Sequence, residues 1–226
     1  MIYTDICNVV YPVGRITQHG ISLLGTAVVL NAPGILATAA HVVNHDDNRL
    51  VVITNQIESI QEYQDASNLE VQCIPARIIE DNPICDVCLL KIEASISSRL
   101  SISSTDRIKV GETISIFGYP HSDHGRMVLT QQNTSVGAKV LIPSSGLKVK
   151  NIILNIQSRP GQSGSPIIKS EDMSLIGIMI GSYAPQNTGR VIVGGIDPQT
   201  LHQTTHAVSA EYIGEMLDEY VSRKNV

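Results

Sequence analysis

Tryptophan is absent from this chain and phenylalanine occurs once, as Phe117, so the core cannot be organised around large rings. Seven tyrosines are the only other aromatics, and burial falls to valine, isoleucine, leucine and alanine. The β-branched members of that set suit strands. Long apolar runs are missing as well: none approaches the roughly 20 residues that span a bilayer, which excludes a helical membrane anchor and a membrane partner. A basic excess is missing too. Lys and Arg number 16 against 21 Asp and Glu, a net charge of −5, which leaves no chain-wide cationic surface for nucleic acid. The opening Met1-Ile2-Tyr3-Thr4-Asp5 lacks a basic segment followed by an apolar one and carries an early acid, so no secretory signal is expected there. Cysteine is scarce: Cys7, Cys73, Cys85 and Cys88. Residues three apart on a strand point to opposite faces, so Cys85 and Cys88 are expected to share neither a zinc ion nor a disulfide. All four read as reduced, mostly buried thiols.

What is present is a series of short β-prone segments, in a chain of 226 residues that suits one large domain or two small ones. Val9-Val10-Tyr11 precede a predicted turn at Pro12-Val13-Gly14. Leu23 to Leu30 and Ile35 to Ala39 flank the turn Asn31-Ala32-Pro33-Gly34, and Val51 to Ile53, Val71 to Ile79 and Asp86 to Ile92 complete a first group of strands. Serine-rich Ser95 to Asp106 reads as a link between halves. Further strands are predicted at Thr113 to Tyr119, Met127 to Gln132, Lys148 to Ile156, Pro166 to Lys169, Leu175 to Ser182 and Arg190 to Val193. The end differs in kind: Ser209 can cap a helix in which Tyr212, Ile213, Met216, Leu217, Tyr220 and Val221 form one apolar stripe. That stripe is expected to pack on the body, with a partner-binding helix as the alternative.

Chemistry concentrates in three places. In Arg159-Pro160-Gly161-Gln162-Ser163-Gly164-Ser165-Pro166-Ile167, glycines bracket a serine and prolines bracket the group. Glycine lets the backbone turn sharply enough for Ser163 to point its oxygen outward while the N–H groups of Gly161 and Ser163 converge on one point. Upstream, Leu36-Ala37-Thr38-Ala39-Ala40-His41-Val42 ends an apolar run in a histidine, and Asp86-Val87-Cys88-Leu89-Leu90-Lys91-Ile92 opens one with an aspartate. Thr-Ala-Ala-His, Asp-Val-Cys-Leu-Leu-Lys and Gly-Gln-Ser-Gly-Ser-Pro resemble the three catalytic signatures of the chymotrypsin-like (trypsin-fold) serine peptidases in their order His, Asp, Ser. In style they are similar to the bacterial HtrA and glutamyl-endopeptidase branches.

That resemblance implies an all-β fold of two six-stranded antiparallel β-barrels with a C-terminal α-helix: residues 1–100 as first barrel, 101–208 as second barrel and 209–226 as helix. It implies a serine endopeptidase acting on protein or peptide substrates through His41, Asp86 and Ser163, with Gly161 and Ser163 as oxyanion hole. By the family's spacing, Gln157 falls near the base of the primary pocket, Ile180, Gly181 and Ser182 on the substrate-pairing strand, and His206 near the pocket wall. No acid stands at the pocket base, which argues against preference for Arg or Lys. Secreted relatives usually place a bridged cysteine after the histidine, where this chain has Val42, so a cytoplasmic location is expected. No cofactor is implied. His121 and His124 share a turn and His202 and His206 stand four apart, but neither pair brings the three or four ligands a zinc site needs, and no metal is expected.

Three alternatives stay open. Ser163, Asp197 and His202 follow the chain order of an α/β-hydrolase, but the elbow needs glycine where Ser165 stands and a helix where Pro166-Ile167-Ile168 reads as strand. A non-catalytic trypsin-fold binding module would keep the barrels and lose the chemistry. A peptidase silent until a regulatory protein partner switches it on would keep both. Gln162 stands where digestive relatives carry an aspartate that pairs with a newly cut N-terminus, and a neutral amide cannot form that ion pair. Activity is therefore expected without N-terminal trimming, which mass analysis of active protein still starting at Met1 will check.

Overall fold

Both faces of most strands are apolar, and the folded chain uses both. The computed structural model describes residues 6–54, 57–68, 70–183 and 204–224. Strands β1 (Val10–Thr17), β2 (Gly20–Val29), β3 (Ile35–Thr38), β4 (Leu50–Thr54), β5 (Gln72–Asn82) and β6 (Val87–Ile92) close into a barrel in the order β1-β2-β3-β6-β5-β4. Strands β7 (Thr113–Gly118), β8 (Thr130–Ser144), β9 (Leu147–Leu154), β10 (Pro166–Lys169), β11 (Leu175–Tyr183) and β12 (Thr204–Ser209) close a second, ordered β10-β11-β12-β9-β8-β7. Every pairing within the barrels is antiparallel. Among the described residues two α-helices, α1 (Ala40–Val43) and α2 (Glu211–Lys224), and three short 3-10 turns complete the order.

Alternation along each strand sorts side chains between three cores. On β2, Ala27 and Val29 fill the first barrel while Val28 faces the seam between the barrels; on β6, Cys88 and Leu90 point in while Val87 and Leu89 face the seam. The second barrel answers with Ile114 and Ile116 inside and Phe117 in the seam. The one phenylalanine thus serves the joint and not a barrel interior, with Tyr119, Ile178 and Val208 beside it. Among the described residues no helix is long and apolar enough to cross a membrane.

Four departures from the sequence expectation have physical causes. Pro12 and Gly14 lie within β1 and not in a turn. Pairing with β4 begins only at Val13, so the missing Pro12 N–H is needed by no rung on that side. Gly14 sits at a bulge where an added Cβ would lie 2.7 Å from Ile21 Cγ2. Strand β8 runs on to Ser144, far past Gln132, because Val140, Ile142 and Ser144 find partners on β9 in an overhanging hairpin whose polar residues hide its periodicity. Thr204–Ser209, read only as a site segment with a cap, is a full strand between β9 and β11, and Ser209 ends it. Its hydroxyl accepts the Thr105 N–H and donates to Glu211 instead of capping α2. The strand expected over Arg190 to Val193 lies outside the described residues.

Helix α2 lays Ile213, Met216 and Leu217 onto the seam core, with Tyr212 and Tyr220 at its margin. The stripe therefore closes the body, and of it Val221 alone is left 41% exposed. Ile213→Ala should cost about 2–5 kcal/mol and Val221→Ala less than about 0.5 kcal/mol; urea unfolding followed by circular dichroism will separate them.

Candidate active site

The first half of the site is one short helical turn held by one aspartate. Ala39 is extended, at φ −74° and ψ 141°, and Asn44 closes α1 in the left-handed region with its N–H returning to the Ala40 carbonyl. Ala40, Val42 and Val43 are buried on the first barrel, so His41 is the residue of the turn that faces out. Asp86 ends the β5–β6 turn at φ 57°, a conformation aspartate tolerates. That turn is shaped by Asn82, whose side-chain oxygen accepts the N–H groups of Ile84 and Cys85. Asp86 then holds the helix by three bonds. Its carbonyl accepts the Ala40 N–H at 3.2 Å, Oδ1 accepts the His41 N–H at 2.9 Å, and Oδ2 meets His41 Nδ1 at 2.6 Å. A carboxylate only accepts, so Nδ1 carries a hydrogen, and in the neutral tautomer Nε2 is the nitrogen that keeps its lone pair.

The second half is the serine loop. The Gln162 N–H donates to the Arg159 carbonyl at 3.1 Å, with Pro160 second and Gly161 third at φ +89°. Those features define a type II β-turn. The Pro160 carbonyl accepts the His121 N–H at 2.7 Å, and with no cis peptide in the described chain the Gly161 N–H points the opposite way. Among the described residues neither the Gly161 N–H nor the Ser163 N–H has a hydrogen-bond partner. A Cβ at Gly161 would run into Ser122 Oγ and the Tyr119 carbonyl, so only glycine fits.

Cross-barrel bonds bring the halves together. The Ser163 carbonyl accepts the Thr26 N–H at 2.8 Å. The Thr26 hydroxyl donates to the Gly161 carbonyl at 2.9 Å, and the Thr38 hydroxyl donates to the Thr26 carbonyl at 2.7 Å. Gly25 makes the approach possible, since a Cβ there would stand 2.8 Å from both the Ser163 carbonyl and a Val42 methyl. Ser163 and the His41 turn thus share one neighbour, although among the described residues no hydrogen bond joins Ser163 Oγ to the His41 ring. Thr26 and Gly25 escaped the sequence reading, while Thr38 entered only as part of the Thr-Ala-Ala-His signature and His121 only as a possible metal ligand. A glycine inside an apolar strand marks close backbone approach and could have flagged Gly25; the threonines read as ordinary strand residues.

The remaining predicted residues gather on one side of the serine loop. The Thr205 hydroxyl donates to the Ile156 carbonyl and accepts the Ser158 N–H, which pins the exposed Gln157 segment against β12 beside His206. His206 pairs with Gly181 across β12 and β11, and Ser182 pairs with Thr205. Gly181 sits at φ +133° next to a bulge. Pairing of β11 with β10 stops at Ile178, so from Ile180 onward that edge has no strand neighbour among the described residues. Asp197 and His202 lie outside the described residues, but a strand, β10, follows Ser163 where an α/β-hydrolase requires a helix.

Two closed antiparallel barrels, with a His–Asp pair on one and a serine turn on the other, define the trypsin-like class of fold. The chain belongs to the trypsin-like peptidase domain family, which it matches over residues 25–178. A probable periplasmic serine endoprotease, DegP-like, of Pseudomonas fulva is 29% identical over 171 residues, covering 74% of this chain and 31% of its own length. A protein of the same name from Ectopseudomonas mendocina is 30% identical over 160 residues, covering 69% and 28% respectively. The chain thus spans about a third of the length of these curated relatives. Among solved structures, the HtrA-type protease AlgW with a decapeptide matches with a TM-score of 0.68 at 17% identity, over 96% of this chain and 65% of that one. The MamO protease domain of Magnetospirillum magneticum matches at 0.64 and 15% identity, over 95% and 98%. Both likenesses speak for the fold.

The relatives' names overturn the cytoplasmic location expected from the cysteines. All four thiols are free, but Cys7, Cys85 and Cys88 are buried. Burial pushes the pKa of each up, that of Cys88 furthest. Those three buried thiols form little thiolate, so their being unbridged does not report on a compartment.

Two outcomes follow from this geometry. Gly161→Ala forces the turn out of its left-handed third position; if the Gly161 N–H is an oxyanion donor, turnover of a peptide substrate should fall by about 10²–10³-fold. Burial holds the His206 pKa below the usual imidazole value. The unfolded chain takes that proton near pH 6.5, so the stability concerned is complete above about pH 6.5 and is lost as pH falls toward the lower folded value. His206→Gln should flatten that part of the slope in denaturation midpoints taken between about pH 8 and 5.

Proposed function

We propose that the chain forms one serine peptidase domain and cleaves internal peptide bonds through an acyl-enzyme. The observation that carries this is the threefold hold of Asp86 on the His41 turn, beside a serine loop with two unpartnered N–H groups. In this reading His41 Nε2 takes the Ser163 proton as Oγ attacks the scissile carbonyl, because an unassisted hydroxyl is a weak nucleophile at neutral pH. Asp86 keeps the hydrogen on Nδ1 and stabilises the imidazolium that forms. The developing oxyanion is received by the Gly161 and Ser163 N–H groups. His41 passes the proton to the leaving amine; a water then repeats the sequence in reverse and frees Ser163.

The substrate lies as an extended strand along Ile180, Gly181 and Ser182, whose outer edge has no strand neighbour among the described residues. The structure of the HtrA-type protease AlgW with a decapeptide favours a peptide as the class of ligand. Gln157 and His206 lie to one side of the scissile position and shape the primary pocket for a polar side chain. The names of the DegP-like relatives favour a periplasmic setting.

Purified chain treated with a fluorophosphonate probe should be labelled at Ser163 alone by mass mapping, and Ser163→Ala should take no label. Asp86→Asn should lose on the order of 10⁴ in turnover, as the trypsin-type triad does. A chain that stays unlabelled points instead to a site awaiting a partner or to a binding module.

A further inference from the structure

Gln162 stands between the two residues whose N–H groups form the turn's open mouth, yet its side chain points the other way and is 1% exposed. A buried amide without partners is costly, and this one is paired at both ends. Its oxygen accepts the Arg159 N–H at 2.8 Å, while its backbone N–H donates to the Arg159 carbonyl at 3.1 Å. The two ends of the turn are thereby closed on each other twice. Its nitrogen donates to Gln132 Oε1 at 2.8 Å. Gln132 is no loop residue: it sits on β8 opposite Ile116 of β7, which in turn pairs with Ile167 of β10. The turn is therefore tied to the wall of the second barrel.

We propose that Gln162, anchored by Gln132, is the positioning residue of the oxyanion turn and holds it ready in the resting chain, with no cation required. The inference rests on the serine-peptidase reading of the site. A carboxylate in this place would need a positive partner to be buried, and the fold would wait for that partner; a neutral amide is satisfied by one backbone N–H and one side-chain oxygen already in the barrel. Division of labour follows from the contacts. The Gln162 tether fixes where the turn ends, and with it the direction of the Ser163 N–H. The His121 N–H fixes which way the Pro160–Gly161 peptide faces, since a change from type II to type I would rotate that peptide by about 180° and present a carbonyl to the substrate in place of a donor.

Three variants of the full chain test this: Gln132→Leu removes the anchor, Gln132→Glu keeps an acceptor for the Gln162 amide, and Gln162→Leu removes the tether itself. Fluorophosphonate labelling across probe concentrations separates the probe's binding constant from its maximal rate of phosphonylation, and the phosphonyl oxygen of the adduct occupies the oxyanion position. Gln132→Leu should slow the maximal rate by about 10- to 100-fold, somewhat less than outright loss of a donor, while the binding constant stays near wild type and the thermal midpoint falls by a few degrees because the Gln162 amide loses its acceptor. Gln132→Glu should restore the rate to within about threefold of wild type, since a carboxylate accepts the same hydrogen bond. Gln162→Leu should be at least as slow as Gln132→Leu. A Gln132→Leu protein that labels at the wild-type rate overturns the inference alone. So does one in which binding weakens as much as rate, or a Gln132→Glu as slow as Gln132→Leu. A wild-type chain that does not label at all also overturns this inference, since its turn is then not held ready, and it returns the site to the two alternatives of a partner-activated peptidase or a binding module.

Discussion

The bond between the Thr26 N–H and the Ser163 carbonyl is where the two barrels become one site. Each barrel satisfies its own strands, and the seam between them is lined by side chains such as Phe117, Val28 and Leu89, which resist compression but set no direction. A hydrogen bond does set direction. With the Thr26 hydroxyl on the Gly161 carbonyl and the Thr38 hydroxyl on the Thr26 carbonyl, the serine loop is fixed in position and orientation relative to the turn that carries His41. Gly25 lets the chains come close enough for these bonds, and a methyl there would push the halves apart.

Charge is used sparingly in this arrangement. Among the described site residues the contact that involves a carboxylate is the hydrogen bond between His41 and Asp86, and it is partly open to solvent. Around Ser163 the holding groups are neutral: backbone amides, two threonine hydroxyls and two glutamine amides. Neutral partners lose little when taken out of water, and their geometry is insensitive to salt. Such a scaffold suits a site that must keep donors aimed at a point where negative charge appears only transiently.

Much of this was legible in the residues because it is local. Strand and turn chemistry exposed most barrel strands; the histidine that ends an apolar run, the aspartate before β6 and the glycine-bracketed serine each lie within a few residues of sequence. What escaped was long-range or masked by composition. Pro12 reads as a turn until β4 is known to begin pairing one residue later. The outer half of β8 and all of β12 carry too many polar side chains to show a period of two, since an overhanging hairpin and a site-lining strand need few apolar residues. Contacts such as Thr26 to Gly161 or Gln162 to Gln132 span 135 and 30 positions and leave no trace in spacing. The compartment was misjudged for a related reason: a thiol's exposure, not its presence, decides whether it can pair.

The division of the site between barrels also bears on how the chain is made. Synthesis delivers His41 and Asp86 early, in a half that can close on its own six strands, and Ser163 later, in a loop that lies outside strands β7 to β9. The loop is pinned by Met179 of β11, through bonds to Gly164 and Ser165, as well as by Thr26. A nascent chain on the ribosome therefore holds a histidine–aspartate pair with no nucleophile to activate, and the nucleophile emerges before the strand that shapes its loop. On the proposed reading, the serine loop therefore takes its final shape only once β11 has joined the second barrel.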